Sequence, residues 1–358
     1  MDLYLTQPTC SGDSLKSTSN IFRLLLLLSL GLPAAGCNNY VAEKFVRAPN
    51  LDLDMRGKDA PQSLLIDHHV AEQLRVPVGP PEASLSVWVV DPVSAPAMVS
   101  LRQAPNPRDW PIARLTILPS TDPDADPDKP PKGTVFLLHG LDDTKEDAPY
   151  EFYSYGLACE GYRVVLVDLR GHGRSTGDRI GYGGYESHDL MQVLDVLQDR
   201  GLVAGKVGVL GISYGASVGI CWASIDPRVK VVVALEPFSS IRFASRDAGA
   251  TMLLAFRWLF SKSDLEEITD RVGKIDGFDP DLASPLYAIS HMTTPVLLIH
   301  GKLDDFLYPE HSIRLHEAAL NHSQLILVDG ADHFDLWYKA LTTIMNESNQ
   351  WFEKYLIH

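Results

Sequence analysis

The chain has 358 residues, of which 45% are hydrophobic and 22% are charged, and its formal net charge is −15. This composition is close to that of an ordinary globular protein and argues against both a disordered chain and one that crosses a membrane many times. An acidic surface repels phosphate backbones, so no nucleic-acid partner is expected.

The first segment in chain order has the features of an export signal. An apolar run, residues 24–32, follows the positive residues Lys16 and Arg23. The run is too short to span a bilayer comfortably but suits the core of a signal peptide. We therefore predict a signal peptide over residues 1–36 and a protein that leaves the cytoplasm.

A cysteine follows this segment, in the sequence Ala34-Ala35-Gly36-Cys37. The motif resembles the lipobox of bacterial lipoproteins, although Ala34 stands where the family usually has Leu. The resemblance implies that Cys37 becomes a lipidated N-terminus that anchors the protein to a bacterial membrane. Asn38 and Asn39 lack the Asp that in many Gram-negative lipoproteins signals inner-membrane retention, which favours the outer membrane. The alternative is an ordinary signal peptide cut near Ala35, which would leave Cys37 unmodified.

The next part of the chain has little regular pattern. Residues 37–84 show only weak periodicity, so we predict a tether with peripheral packing. Residues 85–90 and residues 113–118 alternate in the way that is typical of antiparallel strands. A Pro- and Asp-rich loop, residues 120–133, follows them.

From Thr134 onward, strands alternate with helices, which indicates a parallel sheet. Six apolar runs are typical of strands that are buried on both faces: residues 134–138, 163–167, 207–210, 229–234, 295–299 and 324–328. Helices are predicted at residues 148–160, 186–199, 213–223, 309–320 and 334–356. Together with the two leading strands, these runs predict an eight-stranded, mostly parallel α/β sheet with helices on both faces.

Residues 238–294 form an interval that is too long for a simple connector. The interval contains an amphipathic stretch, residues 248–260, with many large apolar side chains. An insertion here could cover the carboxyl ends of the strands as a lid. Packing of its apolar face on the body of the domain is at least as good an explanation.

The strongest chemical signal is the motif Gly211-Ile212-Ser213-Tyr214-Gly215, which lies where a buried strand ends and a helix begins. In that context a serine lies on a sharp turn that projects its hydroxyl above the sheet, while the glycines keep Cβ atoms away. The N-terminus of the helix supplies a positive field where an oxyanion would form. Ser213 is therefore predicted to be a nucleophile.

With the motifs around this serine, residues 85–358 resemble the α/β-hydrolase superfamily. The first parallel strand is followed by Leu138-His139-Gly140-Leu141. The resemblance implies that the backbone N–H groups of Leu141 and Tyr214 form the oxyanion hole. The second parallel strand is followed by residues 168–175, which match a family turn beside the site. Within that turn we interpret Asp168 and His172 as structural.

The order of nucleophile, acid and histidine in this superfamily selects the other two residues. After the fifth parallel strand, residues 300–309 resemble the Gly-x-x-Asp-x-x-Val-Pro stretch of the family, which selects Asp304 as the acid, with Asp305 as the neighbouring alternative. After the sixth strand, residues 329–334 resemble its Gly-x-x-His turn, which selects His333 as the base. The resemblance implies acyl transfer through a covalent intermediate on the serine.

We therefore expect a serine hydrolase that cleaves carboxylic esters of small molecules or lipids. A serine peptidase remains open because this region also resembles the hydrolase domain of prolyl-oligopeptidase-like enzymes, and an acyltransferase could use the same triad. A non-catalytic surface lipoprotein would not need all three triad motifs. No metal or other cofactor is expected, since the adjacent residues His68 and His69 lack partner ligands.

Overall fold

The computed structural model describes residues 2–5, 34–52, 70–93, 97–102, 112–117, 130–251 and 261–357. Most of the predicted signal peptide lies outside these residues, as do His68 and His69. Residues 252–260 of the predicted amphipathic stretch also lie outside them.

One large sheet runs through the described part of the chain. The strands are β1 (Asp2–Leu5), β2 (Val70–Val78), β3 (Ala83–Val90), β4 (Ala97–Arg102), β5 (Ile112–Ile117), β6 (Thr134–Leu138), β7 (Arg163–Asp168), β8 (Val207–Ile212), β9 (Val229–Leu235), β10 (Val296–Gly301) and β11 (Ser323–Val328). Eight of them form the main sheet, in the order β11-β10-β9-β8-β6-β7-β3-β2. Its strands from β6 onward are parallel, whereas β3 is antiparallel to β7 and β2 is antiparallel to β3.

Burial explains why the central strands are almost wholly apolar. Strands β6 and β10 are buried at every position, because helices cover both faces of a parallel sheet. The edge strand β11 is only partly buried and tolerates polar residues. The six apolar runs of the sequence correspond to strands β6 to β11, so the prediction of a mostly parallel eight-stranded sheet is confirmed.

The prediction is wrong for one of the two leading strands. Residues 113–118 were expected beside the parallel strands, but β5 lies between β1 and β4 in a separate three-stranded antiparallel sheet. The place in the main sheet is taken by β2, which lies within the segment predicted to be a tether. Because β2 is an edge strand, most of its residues are exposed or half-buried and it contains Pro77, so its pattern is weak.

Helices cover both faces of the main sheet. They are α1 (Ala34–Val46), α2 (Pro49–Asp52), α3 (Ala148–Cys159), α4 (Gly184–Asp199), α5 (Tyr214–Ile225), α6 (Ile241–Thr251), α7 (Lys262–Asp276), α8 (Pro285–Ser290), α9 (Glu310–Glu317), α10 (Leu336–Lys339) and α11 (Leu341–Phe352), followed by a π-helical turn, Glu353–Ile357. Helices α4, α5, α8 and α9 pack in one apolar layer, and α3 and α11 pack in the other. Within the described ranges, none of these helices combines the length and apolar character needed to cross a bilayer.

Helix α1 packs against the insertion between β9 and β10. Apolar side chains of α1, α6 and α7 form a small separate core: Val41, Ala42, Val46, Ile241, Leu265, Ile268 and Val272. At the start of α1, Nδ2 of Asn38 donates a hydrogen bond to Glu267 at 2.8 Å. Helices α6, α7 and α8 all belong to the interval 238–294, for which a lid function stays a prediction.

Candidate active site

Ser213 lies between the end of β8 and the start of α5, at the carboxyl edge of the main sheet. Its backbone has φ 52° and ψ −110°, a strained conformation for a residue that carries a side chain. The N–H of Ser213 donates a hydrogen bond to the carbonyl of Leu235 at 2.7 Å, which ties the turn to the end of β9. The fold therefore maintains a strained backbone at the residue that the motif places at its centre.

The two glycines of the motif are required for steric reasons. A Cβ atom on Gly211 would lie 2.4 Å from the carbonyl oxygen of Gly215. A Cβ atom on Gly215 would lie 2.4 Å from the carbonyl oxygen of Leu138 in β6. Because both obstacles are backbone atoms, a larger residue at either position would force β6, β8 and α5 apart.

Three side chains from three separate turns meet at this edge of the sheet. Oγ of Ser213 lies 3.1 Å from Nε2 of His333, and Nδ1 of His333 lies 2.7 Å from Oδ2 of Asp304. They are the three residues that the sequence selects, whereas the neighbouring Asp305 is exposed. The contacts join a hydroxyl, an imidazole and a carboxylate in the order by which a base can activate a nucleophile.

The carboxylate of Asp304 is buried and accepts hydrogen bonds from several donors. Besides His333, these are Nε2 of His300 at 3.0 Å and the backbone N–H groups of Phe306 and Leu307 at 2.9 and 2.7 Å. Burial alone would raise the pKa of the Asp304 carboxyl. The hydrogen bonds from the two histidines outweigh burial and hold that pKa well below its usual range. Asp304 is therefore ionised and can stabilise a positive charge on His333.

His300 is a site residue that the sequence analysis does not single out. Its Nε2 also lies 2.8 Å from the carbonyl of Leu307, and its Nδ1 lies 2.8 Å from the hydroxyl of Ser312. Because both neighbours of Nε2 are acceptors, the proton of this imidazole belongs on Nε2. His300 thus orients the Asp304 carboxylate. The signal in the sequence that could have identified His300 was its position at the end of a buried strand.

Glu236 is the second residue that the sequence analysis missed. It directly follows β9, it is 2% exposed, and its backbone has φ 51°. Its Oε2 lies 3.8 Å from Nδ1 of His333, and its Oε1 accepts a hydrogen bond from Gly301 N–H at 3.4 Å. Burial raises the pKa of the Glu236 carboxyl well above its usual range, and the negative charge of Asp304 raises it further. An acidic residue directly after a buried strand was the signal that could have identified it.

The two expected oxyanion donors belong to the turns after β6 and β8. Tyr214 is the first residue of α5, so its N–H has no acceptor within the helix. Leu141 lies in the turn after β6. The hydroxyl of Tyr150 supports that turn, because it accepts a hydrogen bond from Gly140 N–H at 2.7 Å and donates one to Asp143 at 2.7 Å.

Asp168 and His172 have structural contacts of their own. Asp168 is fully buried and forms an ion pair with Lys145 at 2.6 Å. Nδ1 of His172 lies 2.8 Å from the carbonyl of Arg170. Burial lowers the pKa of His172 to about 3, so this imidazole is neutral. These contacts agree with a structural interpretation of the turn.

Glu236, Asp304 and His333 offer potential ligand atoms within 4.8 Å of one another. Such a spacing could hold a metal ion. In this group, however, Oδ2 of Asp304 is already hydrogen-bonded to two imidazoles, and both nitrogens of His333 face Asp304 or Ser213. The arrangement is therefore that of a hydrogen-bonded relay, whose chemistry does not require a metal.

Two phenylalanine rings lie beside His333. The ring of Phe306 lies 5.0 Å from the imidazole and 5.6 Å from the ring of Phe334, measured between centroids. Leu141, Leu303 and Phe334 are 41%, 62% and 54% exposed. We call Leu141, Leu303, Phe306 and Phe334 the apolar rim. An apolar group of a substrate that reached Ser213 would bury part of this rim.

The chain is similar to several known sequences. A family model described as X-Pro dipeptidyl-peptidase (S15 family) matches residues 112–276. The chain is 28% identical to Uncharacterized protein YqkD of Bacillus subtilis (strain 168) over 203 residues, which cover 56% of this chain and 64% of YqkD. The match thus spans less than two thirds of that relative.

Solved structures share the fold at low sequence identity. The Pyrococcus furiosus esterase Pf2001 is 18% identical, with a TM-score of 0.60, and the match covers 84% of this chain and 99% of the esterase. An acylaminoacyl peptidase from Pyrococcus horikoshii is 14% identical, with a TM-score of 0.54, and the match covers 82% of this chain and 44% of the peptidase. Likeness at these identities shows the fold, and the predicted α/β-hydrolase fold is confirmed.

Proposed function

We propose that this chain is a serine hydrolase of the α/β-hydrolase superfamily and that it cleaves carboxylic esters. In this proposal Ser213 is the nucleophile, His333 the general base and Asp304 the acid that orients it. The observation that carries the proposal is the relay in which His333 lies 3.1 Å from the serine hydroxyl and 2.7 Å from a buried carboxylate.

The mechanism consists of two acyl transfers. His333 takes the hydroxyl proton as Oγ of Ser213 attacks the ester carbonyl, and the N–H groups of Leu141 and Tyr214 bind the oxyanion. His333 then gives the proton to the departing alcohol, which leaves an acyl group on the serine. Water loses a proton to His333 as it attacks this acyl group. His333 then returns the proton to Oγ of Ser213 as the bond between Oγ and the acyl carbon breaks and the carboxylic acid product is released. Asp304 stabilises the imidazolium in both steps.

One observation supports an ester substrate. The apolar rim suits a hydrophobic acyl or alcohol group of a small-molecule or lipid ester.

A serine peptidase is the second candidate, favoured by the match of residues 112–276 to the S15 family model. The same relay would attack an amide if His333 protonated the departing amine. An acyltransferase would share the first half of the mechanism and would replace water by another acceptor.

A fluorophosphonate probe tests the enzyme proposal. Covalent labelling of the folded protein, and its loss in Ser213→Ala, is the expected result. The proposal would be contradicted if the native chain were not labelled, or if Ser213→Ala were labelled equally. A panel of short-chain esters, long-chain esters and aminoacyl amides then separates the candidates, because amide cleavage without ester cleavage would favour the peptidase.

We further propose that the protein is exported and anchored to a membrane, with the outer membrane favoured, by lipid on Cys37. Support comes from the apolar run at residues 24–32 and the small residues before Cys37. Cleavage before Cys37 would remove β1. Radiolabelled palmitate should label the protein but not Cys37→Ala; equal labelling of the two would contradict lipidation at Cys37.

A further inference from the structure

We propose that Glu236 is a positioning residue that acts through His333. When the Asp304 carboxylate is lost, the carboxyl of Glu236 replaces it in the contact with Nδ1 of His333. The inference rests on the proposed function, since it requires His333 to act as a base on Ser213.

The geometry places two carboxyl groups at the same imidazole nitrogen. Nδ1 of His333 lies 2.7 Å from Oδ2 of Asp304 and 3.8 Å from Oε2 of Glu236. Because Nδ1 carries a single proton, one carboxyl accepts it and the other stands about 1 Å beyond hydrogen-bonding distance. A small side-chain movement would bring Glu236 into contact.

The surroundings determine which of the two carboxyl groups carries the charge. Both are 2% exposed, and two carboxylates this close do not both ionise at low cost. Asp304 accepts hydrogen bonds from two imidazoles and two backbone N–H groups, whereas Glu236 accepts one long bond from Gly301. The negative charge therefore resides on Asp304, and the carboxyl of Glu236 keeps its proton.

Other groups around Glu236 act in the same direction. Besides Asp304, the carboxylates of Asp332 and Asp335 from the turn after β11 disfavour its ionised form. The buried hydroxyl of Tyr153, from α3, lies close enough to Glu236 to be affected by the charge of that carboxyl. His333 is the cationic group that forms during the reaction. Loss of the Asp304 charge would thus remove the nearest repulsion and leave the attraction of His333.

The backbone of Glu236 is a second, independent observation. Its φ of 51° is unfavourable for a residue with a side chain, and the fold maintains it through a hydrogen bond from Glu236 N–H to the carbonyl of Ile299 at 2.9 Å. Glycine would adopt this conformation with less strain. A strained glutamate immediately behind the triad is explained if its carboxyl has a role at His333.

A double-mutant cycle on the full chain tests the proposal without knowledge of the substrate. The second-order rate constant for fluorophosphonate labelling of Ser213 would be measured from pH 6 to pH 10 in the native chain, Glu236→Gln, Asp304→Ala and the double variant. We expect Glu236→Gln to slow labelling at least about tenfold more when Asp304 is absent than when it is present, since coupling within a contact group reaches this size. Labelling of Asp304→Ala should also rise with pH as Glu236 ionises, and this rise should be missing from the double variant.

Controls separate the possible failures. Glu160→Gln makes the same chemical change in an exposed residue after α3, at the opposite end of the sheet, and should not alter the cycle. If Asp304→Ala does not fold by circular dichroism, Asp304→Asn replaces it in the cycle. The role of Glu236 would be overturned if Glu236→Gln slowed labelling by the same factor in the native chain and in Asp304→Ala. It would also be overturned if Asp304→Ala and the double variant had the same pH profile of labelling. Failure of the native chain to react would instead contradict the proposed function.

Discussion

Nδ1 of His333 lies 2.7 Å from Oδ2 of Asp304, and this carboxylate has almost no contact with solvent. The pairing holds the imidazole so that its other nitrogen faces Ser213. It also makes the protonation state of Asp304 a determinant of both stability and activity, because a buried carboxylate with several donors is stable only while it is ionised.

Asp304→Asn should lower the activity, and it should remove a contribution to folding stability that the native chain loses in acid. The pKa of Asp304 in the folded chain lies below its value of about 3.9 in an unfolded chain. Its stabilising contribution is therefore fully present above about pH 5 and is lost as the pH falls through the folded-state pKa. Thermal unfolding should show the largest difference between native chain and variant near neutral pH and a smaller one in acid. A difference that does not change with pH would contradict this assignment.

Glu236→Gln should have the opposite pH dependence. The folded-state pKa of Glu236 is raised, so the folded chain binds a proton that the unfolded chain releases, and this group lowers stability as the pH rises above about 4.3. Gln has no proton to release. We expect the melting temperature of the variant relative to the native chain to increase between pH 4 and pH 8, as measured by calorimetry. A relative melting temperature that falls over this range would contradict a protonated Glu236.

Ser213→Gly and Ser213→Ala should both abolish labelling but should differ in stability. With φ at 52°, the backbone strain at this residue is of the order of 1 kcal/mol or more for any residue with a Cβ atom. Glycine relieves that strain, whereas alanine retains it. Urea unfolding should therefore give Ser213→Gly a higher free energy of unfolding than Ser213→Ala. The reverse order would show that the turn is not strained in the folded chain.

The sequence predicts the parts of this fold in which the structure allows only one type of residue at a position. Central strands must be apolar on both faces, and Gly211 and Gly215 have no space for a Cβ atom, so both features are visible in the sequence. Strand β2 was missed because an edge strand is partly exposed and accepts polar as well as apolar residues. Glu236 and His300 were missed because their roles depend on which strands become neighbours: β9 and β10 pair in space but are separated in sequence by the insertion.

Tyr150→Phe should lower kcat more than it changes KM. Its hydroxyl holds the turn that carries Leu141, and its loss leaves the Gly140 N–H without that acceptor. We expect a cost of about 1–3 kcal/mol in stability and roughly a tenfold loss in kcat, less than when an oxyanion donor is removed outright. Tyr155→Phe is the matched control on the same helix, since its hydroxyl is buried and its hydrogen-bond partner is Cys159 of that helix. Equal effects of the two substitutions on kcat would argue against a role of Tyr150 in the oxyanion turn.

Substitution in the apolar rim should change the preference for substrate rather than the chemistry. Phe334 is 54% exposed and its ring lies 5.4 Å from His333, so a bound apolar chain would cover part of it. Because burial of apolar surface contributes roughly 25 cal/mol per Å², Phe334→Ser should raise KM for long-chain esters about tenfold and leave short-chain esters nearly unchanged. Leu320→Ser is the matched control, since Leu320 is 66% exposed but lies before the amino end of β11, away from the site. A uniform loss on short and long esters would mean that Phe334 supports His333 rather than the substrate, because a structural defect at the base slows every ester alike.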